Sequence, residues 1–117
     1  MSNFNLETRL IKFSTEIIEI SENLEKTKAG NHLSSQIIRS GTSTALNYGE
    51  AQSAESRNDF IHKFRVILKE LREVYISLRI ISQSNLCSNN LVLNKSIEEC
   101  NELISIFVKS INTAEKT

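Results

Sequence analysis

The segment QIIRSGTSTALNYGE, residues 36–50, decides how the rest of this sequence is interpreted. It lies between segments that repeat large apolar residues with heptad regularity, yet its own heptad positions are polar. These positions follow one another at steps of 4, 3, 4 and 3, which places five polar side chains on one helix face: Gln36, Ser40, Ser43, Asn47 and Glu50. Another face carries small residues at steps of four: Gly41, Ala45 and Gly49. Such a helix is built for tight packing, for hydrogen bonds inside the protein, or for both.

Amphipathic helices flank this segment on both sides. Their large apolar residues recur at alternating steps of three and four, the pattern of a helix with one buried stripe. The predicted stripes are Leu6, Leu10, Phe13, Ile17, Ile20 and Leu24 in the first helix; Phe60, Phe64, Ile67, Leu71, Val74, Leu78 and Ile81 in the third; and Leu93, Ile97, Cys100, Ile104, Phe107 and Ile111 in the fourth. We expect these three stripes to supply the core, which leaves the second helix free to depart from the pattern.

The sequence therefore predicts an all-α fold of four helices, at about residues 4–26, 31–52, 56–83 and 91–113, in one domain that spans residues 1–117. We expect a stop at Ala29–Asn31, with Gly30 as the C-cap of the first helix and Asn31 as the N-cap of the second. Ser56, with Asp59 three residues later, marks the start of the third helix. Helices of similar length joined by short loops favour an antiparallel, up-down-up-down four-helix bundle.

Composition restricts the classes of function. The chain has 117 residues and a formal net charge of zero, whereas dedicated nucleic-acid binders usually carry a basic excess. Neither Cys87 nor Cys100 has another Cys or a His at ligand spacing. His32 and His62 are isolated as well, so we expect neither a metal nor another cofactor. No signal peptide and no apolar stretch of membrane-spanning length is visible, so we expect a cytoplasmic protein.

The polar face of the second helix has two interpretations. It can face water, or it can lie partly inside and bond to the third helix. The second interpretation predicts a structural polar network of Gln36, Arg39, Ser43, Asn47, Glu50 and Glu70. Glu70 lies at the edge of the core stripe, where a bidentate pair with Arg39 would fix helix register more than stability. Acid–base work by Glu50 and Glu70 has no further support in the sequence, so no catalytic residue is predicted.

The glycines of the same helix predict close approach of a neighbouring helix. A glycine in a helix interior costs roughly 1 kcal/mol relative to alanine. Close packing along Gly41, Ala45 and Gly49 would offset that cost.

The third helix carries a positive stripe. Residues 57–79 hold six Lys and Arg against three Asp and Glu, or +3, so the remaining eight basic and eleven acidic residues give −3. The stripe consists of Arg65, Lys69, Arg72 and Arg79. It can neutralise phosphates, pair with another subunit, or serve only solubility, and the sequence leaves these alternatives open.

Apolar residues also occur outside the core stripes. In the third helix they are Val66, Ile76 and Ile80, and the other helices add Ile11, Ile18, Leu103 and Val108. Surplus apolar surface of this kind favours oligomerisation, although single exposed aliphatic residues are common.

The second and third segments, QIIRSGTSTALNYGEA and SRNDFIHKFRVILKELREVYISL, resemble the bacterial four-helix bundle proteins of the 23S rRNA intervening-sequence family. The residues that match the family pattern are Gln36, Arg39, Ser40, Ser43, Asn47, Glu50, Phe60, Glu70, Leu71 and Glu73. The family pattern favours Gly after the glutamate of the second helix, where this chain has Ala51.

The resemblance implies a soluble bundle, homopentameric in known examples, with no enzymatic activity and no assigned biochemical role. A related protein, the accessory protein of diversity-generating retroelements, is a basic pentamer that binds nucleic acid and a reverse transcriptase. The leading hypothesis is therefore a non-enzymatic homo-oligomer whose partner is itself, acting as a scaffold or interaction module. The alternative is an RNA- or DNA-binding accessory protein that uses the positive stripe of the third helix. No small-molecule substrate and no membrane partner is predicted.

Overall fold

Four helices enclose one apolar core. The computed structural model describes the backbone of residues 3–116 and the side chains of residues 6–116. The helices are α1, Asn3–Glu22; α2, Lys28–Ala51; α3, Arg57–Gln83; and α4, Asn90–Lys116. Each helix packs against the next and α1 also packs against α4, so α1 and α3 occupy diagonal corners of a bundle. The predicted all-α fold of four helices is confirmed.

The connection between α1 and α2 differs from the prediction. α1 ends at Glu22, and the chain then pairs with the α3–α4 connection. The N–H of Glu25 donates to the carbonyl of Leu86 over 2.9 Å, and Leu24 forms an isolated antiparallel bridge with Cys87. The apolar stripe continues through the buried Leu24 although the helix does not, which is why periodicity alone placed the helix end too late.

Gly30 is part of α2 rather than a cap on α1. Thr27 is the N-cap of α2, and its Oγ1 accepts a hydrogen bond from the Gly30 N–H over 3.0 Å. A Cβ on residue 30 would collide with the carbonyl oxygen of Glu25. Glycine is therefore needed here for a close approach of two backbone segments, and the predicted N-cap at Asn31 is wrong.

The start of α3 agrees with the prediction. Ser56 is the N-cap, and its Oγ accepts a hydrogen bond from the Asp59 N–H over 3.1 Å. Asn85 follows the end of α3 in the left-handed region, with φ 55°, a conformation that Asn tolerates better than most residues.

The predicted stripe of α1 is entirely buried, and that of α3 is buried except for the half-buried Phe60. In α4 the buried stripe keeps four of the six predicted positions and differs at the other two. Ser96 and Leu103 are fully buried, whereas Ile97 and Ile104 are only partly buried. Leu103 and Ile104 are both apolar, so the sequence pattern could not decide which of these two neighbours faces the core.

The core also takes large residues from α2. Ile37, Tyr48 and Ala51 are buried, so the prediction that three stripes suffice is wrong. The Tyr48 ring centroid lies 5.9 Å from that of Phe64 and 6.4 Å from that of Phe107.

Within residues 3–116, no helix is both long and apolar enough to cross a membrane.

Candidate interaction surface

The polar face of α2 is directed toward α3, and we call their contact the α2–α3 seam. Ser40 is buried and its Oγ donates to Glu73 Oε1 over 3.2 Å. Lys63 Nζ donates to Glu50 Oε1 over 2.6 Å, and this hydrogen bond raises the pKa of Lys63. The polar face thus bonds to the third helix at two points, Glu50 among them, as the second interpretation predicted.

Other members of the predicted network do not reach α3. Asn47 Nδ2 donates to the carbonyl and to Oγ of Ser43, both over 2.9 Å, so it bonds one turn back on its own helix. Gln36 is half-buried at the outer edge of the seam. Arg39 is exposed, because it lies about 100° around the helix from Ser40, and it forms no ion pair within residues 6–116. The predicted Arg39–Glu70 pair is therefore absent.

Glu70 is a buried carboxylate with an unsatisfied oxygen. The residue is only 9% exposed, and its Oε1 accepts no hydrogen bond from any residue that the structure describes. Leaving such an acceptor buried costs about 1–3 kcal/mol. Its position at the edge of the core is as predicted, but the partner is not.

The small residues of α2 act at one position rather than along a whole face. A Cβ on Gly41 would lie 2.9 Å from Ile17 Cγ2, so α1 and α2 approach closely there. At the same contact the Ser14 hydroxyl shares its proton between the Leu10 carbonyl, at 2.8 Å, and the Gly41 carbonyl, at 3.1 Å. At Gly49, by contrast, a Cβ would have no neighbour within 4 Å, so the packing prediction holds for Gly41 and is wrong for Gly49.

The positive stripe of α3 is exposed but largely engaged within the protein. Arg65 pairs with Glu115 of α4, and Lys69 Nζ lies 3.4 Å from Glu73 Oε2. The Arg79 guanidinium lies 5.5 Å from the centroid of the Tyr75 ring, a cation–π arrangement. These contacts hold the cations in place on the outer surface without burying them.

Beside this stripe runs a shallow groove of about 750 Å³, here called the α3 groove. Its apolar part includes Leu33 of α2 together with Ile76 and Ile80 of α3. Ile76 is 52% exposed and Ile80 is 47% exposed, so two large apolar side chains lie in water in the monomer. The cations on its rim are Arg65, Lys69 and Arg72. The groove thus combines an apolar floor with an edge that carries three cations and one carboxylate, Glu73.

An ion-pair cluster between α1 and α4 was not predicted. Arg9 donates twice to Glu99, over 3.0 and 2.8 Å, and once to Glu102 over 2.7 Å. The hydrogen bonds to Glu99 and then Glu102 raise the pKa of Arg9. The partners are 90 or more positions apart, so only the fold reveals that they meet.

The cysteines serve packing. Cys100 is fully buried, its thiol donates to the Leu71 carbonyl over 3.2 Å, and burial raises its pKa to about 12. Cys87 is buried as well, and both thiols are free. Among the described residues, no three His, Cys, Asp or Glu side chains are grouped so that they could hold a metal ion.

Comparison with known proteins identifies relatives of the whole fold. A family model described as 23S rRNA-intervening sequence protein matches residues 3–109. A crystal structure from Bacteroides thetaiotaomicron VPI-5482, of a protein with unknown function from the S23 ribosomal protein family, is 26% identical and has a TM-score of 0.85. That alignment covers 96% of this chain and 99% of the other. No curated protein matches the sequence.

Proposed function

The chain belongs to the 23S rRNA-intervening sequence protein family, and on that premise we propose that it is a non-enzymatic, homo-oligomeric helical bundle that acts as a scaffold or interaction module. The solved relative is described as having unknown function, so neither comparison supplies an activity. We further propose an up-down-up-down bundle that assembles as a homopentamer in the cytoplasm, as the sequence resemblance implies.

The observation that carries this proposal is the placement of the exposed isoleucines. Ile11 and Ile18 of α1 are 50% and 40% exposed, and Ile76 and Ile80 of α3 are similarly exposed. They are spaced by seven and by four residues, so each pair lies on one side of its helix. Scattered exposed aliphatic residues are normal, but aligned ones form patches that another protein surface covers.

The absence of an enzymatic role is supported by how the acidic groups of the α2–α3 seam are used. Glu50 pairs with Lys63, and Glu73 accepts from Ser40 and lies beside Lys69. Of these two carboxylates only Glu73 lines the α3 groove, and both are held in intramolecular contacts rather than paired as an acid and a base.

Light scattering coupled to size-exclusion chromatography tests the proposal at micromolar concentration. We expect a molar mass that is a multiple of the 13.3 kDa chain, and five times that value for the pentamer. A mass of 13.3 kDa throughout the concentration range contradicts the proposal.

A second candidate function is RNA or DNA binding. It is favoured by the four exposed cations of the positive stripe of α3, which extend from Arg65 to Arg79 over 14 residues, or about 21 Å of helix. The test is fluorescence anisotropy with a labelled RNA hairpin and a DNA duplex of equal length across a salt series. Binding that weakens linearly in log salt supports this candidate, and no binding at low salt removes it.

A further inference from the structure

The outward side of α1 carries a second stripe whose charge is opposite to that of the cations along the α3 groove. It consists of Glu7, Ile11, Thr15, Ile18 and Glu22, at steps of 4, 4, 3 and 4, and all five residues are exposed. We call it the α1 stripe. Its centre is apolar and both ends are acidic. Along the α3 groove, the corresponding exposed residues are Arg65, Lys69, Arg72, Ile76 and Ile80, at steps of 4, 3, 4 and 4.

The two stripes lie on different sides of the bundle. Within residues 3–116, no Cα of α1 lies within 8 Å of a Cα of α3, because the two helices occupy diagonal corners. One copy can therefore offer its α1 stripe to one neighbour and its α3 groove to another. An interface between two different patches is heterologous, and its repetition closes a ring or extends a filament.

We propose that the α3 groove of one copy is occupied by the α1 stripe of the next copy, with the two helices antiparallel. This inference rests on the proposed homo-oligomer and specifies its interface. The register follows from spacing. Ile11 and Glu22 are 11 residues apart, as are Lys69 and Ile80, so both pairs span about 16.5 Å. In this register Ile11 faces Ile80 and Glu22 faces Lys69.

Charge supports the same pairing. The α1 stripe contributes two carboxylates and no cation, whereas the α3 groove contributes three exposed cations and the carboxylate of Glu73, which already pairs with Lys69. In the proposed register Glu22 faces Lys69, and Glu7 faces Ser84 just beyond the end of α3. Like charges at the edge of an apolar contact disfavour the like-with-like arrangements, in which α1 would face α1 or α3 would face α3.

Disulfide trapping tests the register. Ile11→Cys and Ile80→Cys chains, one of them carrying a mass tag, are co-expressed and oxidised, and the products are separated on a denaturing gel. The native thiols are buried, so the wild-type chain controls for background crosslinks. We expect a mixed disulfide between the two variants and little crosslinking of either variant alone, because bridged Cα atoms must lie within about 7 Å. Crosslinking of each variant to itself, or no mixed product, overturns the proposal.

A charge swap tests the ion pair and separates this inference from the proposed function. Lys69→Glu and Glu22→Lys should each raise the dissociation constant of the assembly by about tenfold or more, and the double variant should restore it. If the wild-type chain is an oligomer and the single variants assemble equally well, the interface is wrong but the proposed function survives. If the wild-type chain is a monomer, both are wrong.

Discussion

Replacing Gly41 with alanine tests the close contact between α1 and α2. The added methyl group would lie 2.9 Å from Ile17 Cγ2 and 3.2 Å from both Cβ and Cγ1 of the same side chain. Ile17 is fully buried and β-branched, so it has one strongly preferred rotamer in a helix and little room to move. The substitution therefore forces the two helices apart or moves Ile17 out of its rotamer well.

Two opposing effects set the size of the change in the free energy of unfolding for Gly41→Ala. Alanine is favoured over glycine in a helix interior by about 0.8–1 kcal/mol. Adding a methylene-sized group to a filled core costs about 1–3 kcal/mol. Separation of the helices would also lengthen the 3.1 Å hydrogen bond from Ser14 Oγ to the Gly41 carbonyl. We expect a net loss of about 0.5–2 kcal/mol in the free energy of unfolding.

Gly49→Ala is the matched control, because it makes the same chemical change in the same helix. Residue 49 has nothing within 4 Å of the added methyl group, so only the helix propensity applies. We expect this variant to gain about 0.8–1 kcal/mol. The two variants should thus change stability in opposite directions.

Urea unfolding followed by circular dichroism measures both changes. All variants are compared at one protomer concentration, since assembly would make the midpoint depend on concentration. If Gly41→Ala stabilises the protein as much as Gly49→Ala does, the contact at Ile17 is not tight and the packing argument fails.

Three further substitutions test other contacts. Glu70→Met removes the unsatisfied buried oxygen, so urea titration should show a free energy of unfolding that is higher by about 1–3 kcal/mol. Lysine at position 9 cannot form the bidentate pair with Glu99, so Arg9→Lys should lower the free energy of unfolding by about 0.5–1 kcal/mol at low salt and by less at high salt. Cys100→Val should reduce the loss of stability at alkaline pH. The folded thiol keeps its proton up to a pKa of about 12, whereas the unfolded thiol releases it above 9.0. Stability therefore falls with rising pH in this window, by about 1.4 kcal/mol one unit above the lower value.

Each of these substitutions has a result that would contradict its reasoning. A loss of stability in Glu70→Met would mean that the carboxylate finds a donor in the assembled protein. Arg39→Lys, at an exposed arginine without an ion pair, is the control for Arg9→Lys, and equal effects would deny the cluster any stabilising role. Parallel pH profiles for wild type and Cys100→Val would show that the thiol does not contribute to alkaline unfolding.

The apolar periodicity was sufficient to predict the helices because one stripe per helix meets one core. The five predicted core residues that lie within α1 are buried for that reason: Leu6, Leu10, Phe13, Ile17 and Ile20. The same signal failed in α4, where Leu103 and Ile104 are both apolar and only the packed bundle distinguishes them. It failed at the end of α1 because Leu24 is buried by a bridge to Cys87, outside any helix.

The candidate surface was predictable only in part. The exposed Ile76, Ile80 and positive stripe follow from one helix, so the sequence is enough to place them on its outer side. The Arg39–Glu70 pair required the geometry between two helices, and the rotation of α2 points Arg39 into water instead. The Arg9–Glu99 contact joins the first helix to the last, a separation at which local patterns carry no information.

The most direct test of the central claim, that the outward side of α3 joins copies of this chain, is the molar mass of Ile76→Asp by light scattering. Leu91→Asp is the control, because Leu91 is 73% exposed but lies on α4, away from the α3 groove. We predict that Ile76→Asp has a mass of 13.3 kDa with its helical circular dichroism retained, while wild type and Leu91→Asp have the same higher mass. An Ile76→Asp protein that keeps the wild-type mass would contradict the claim.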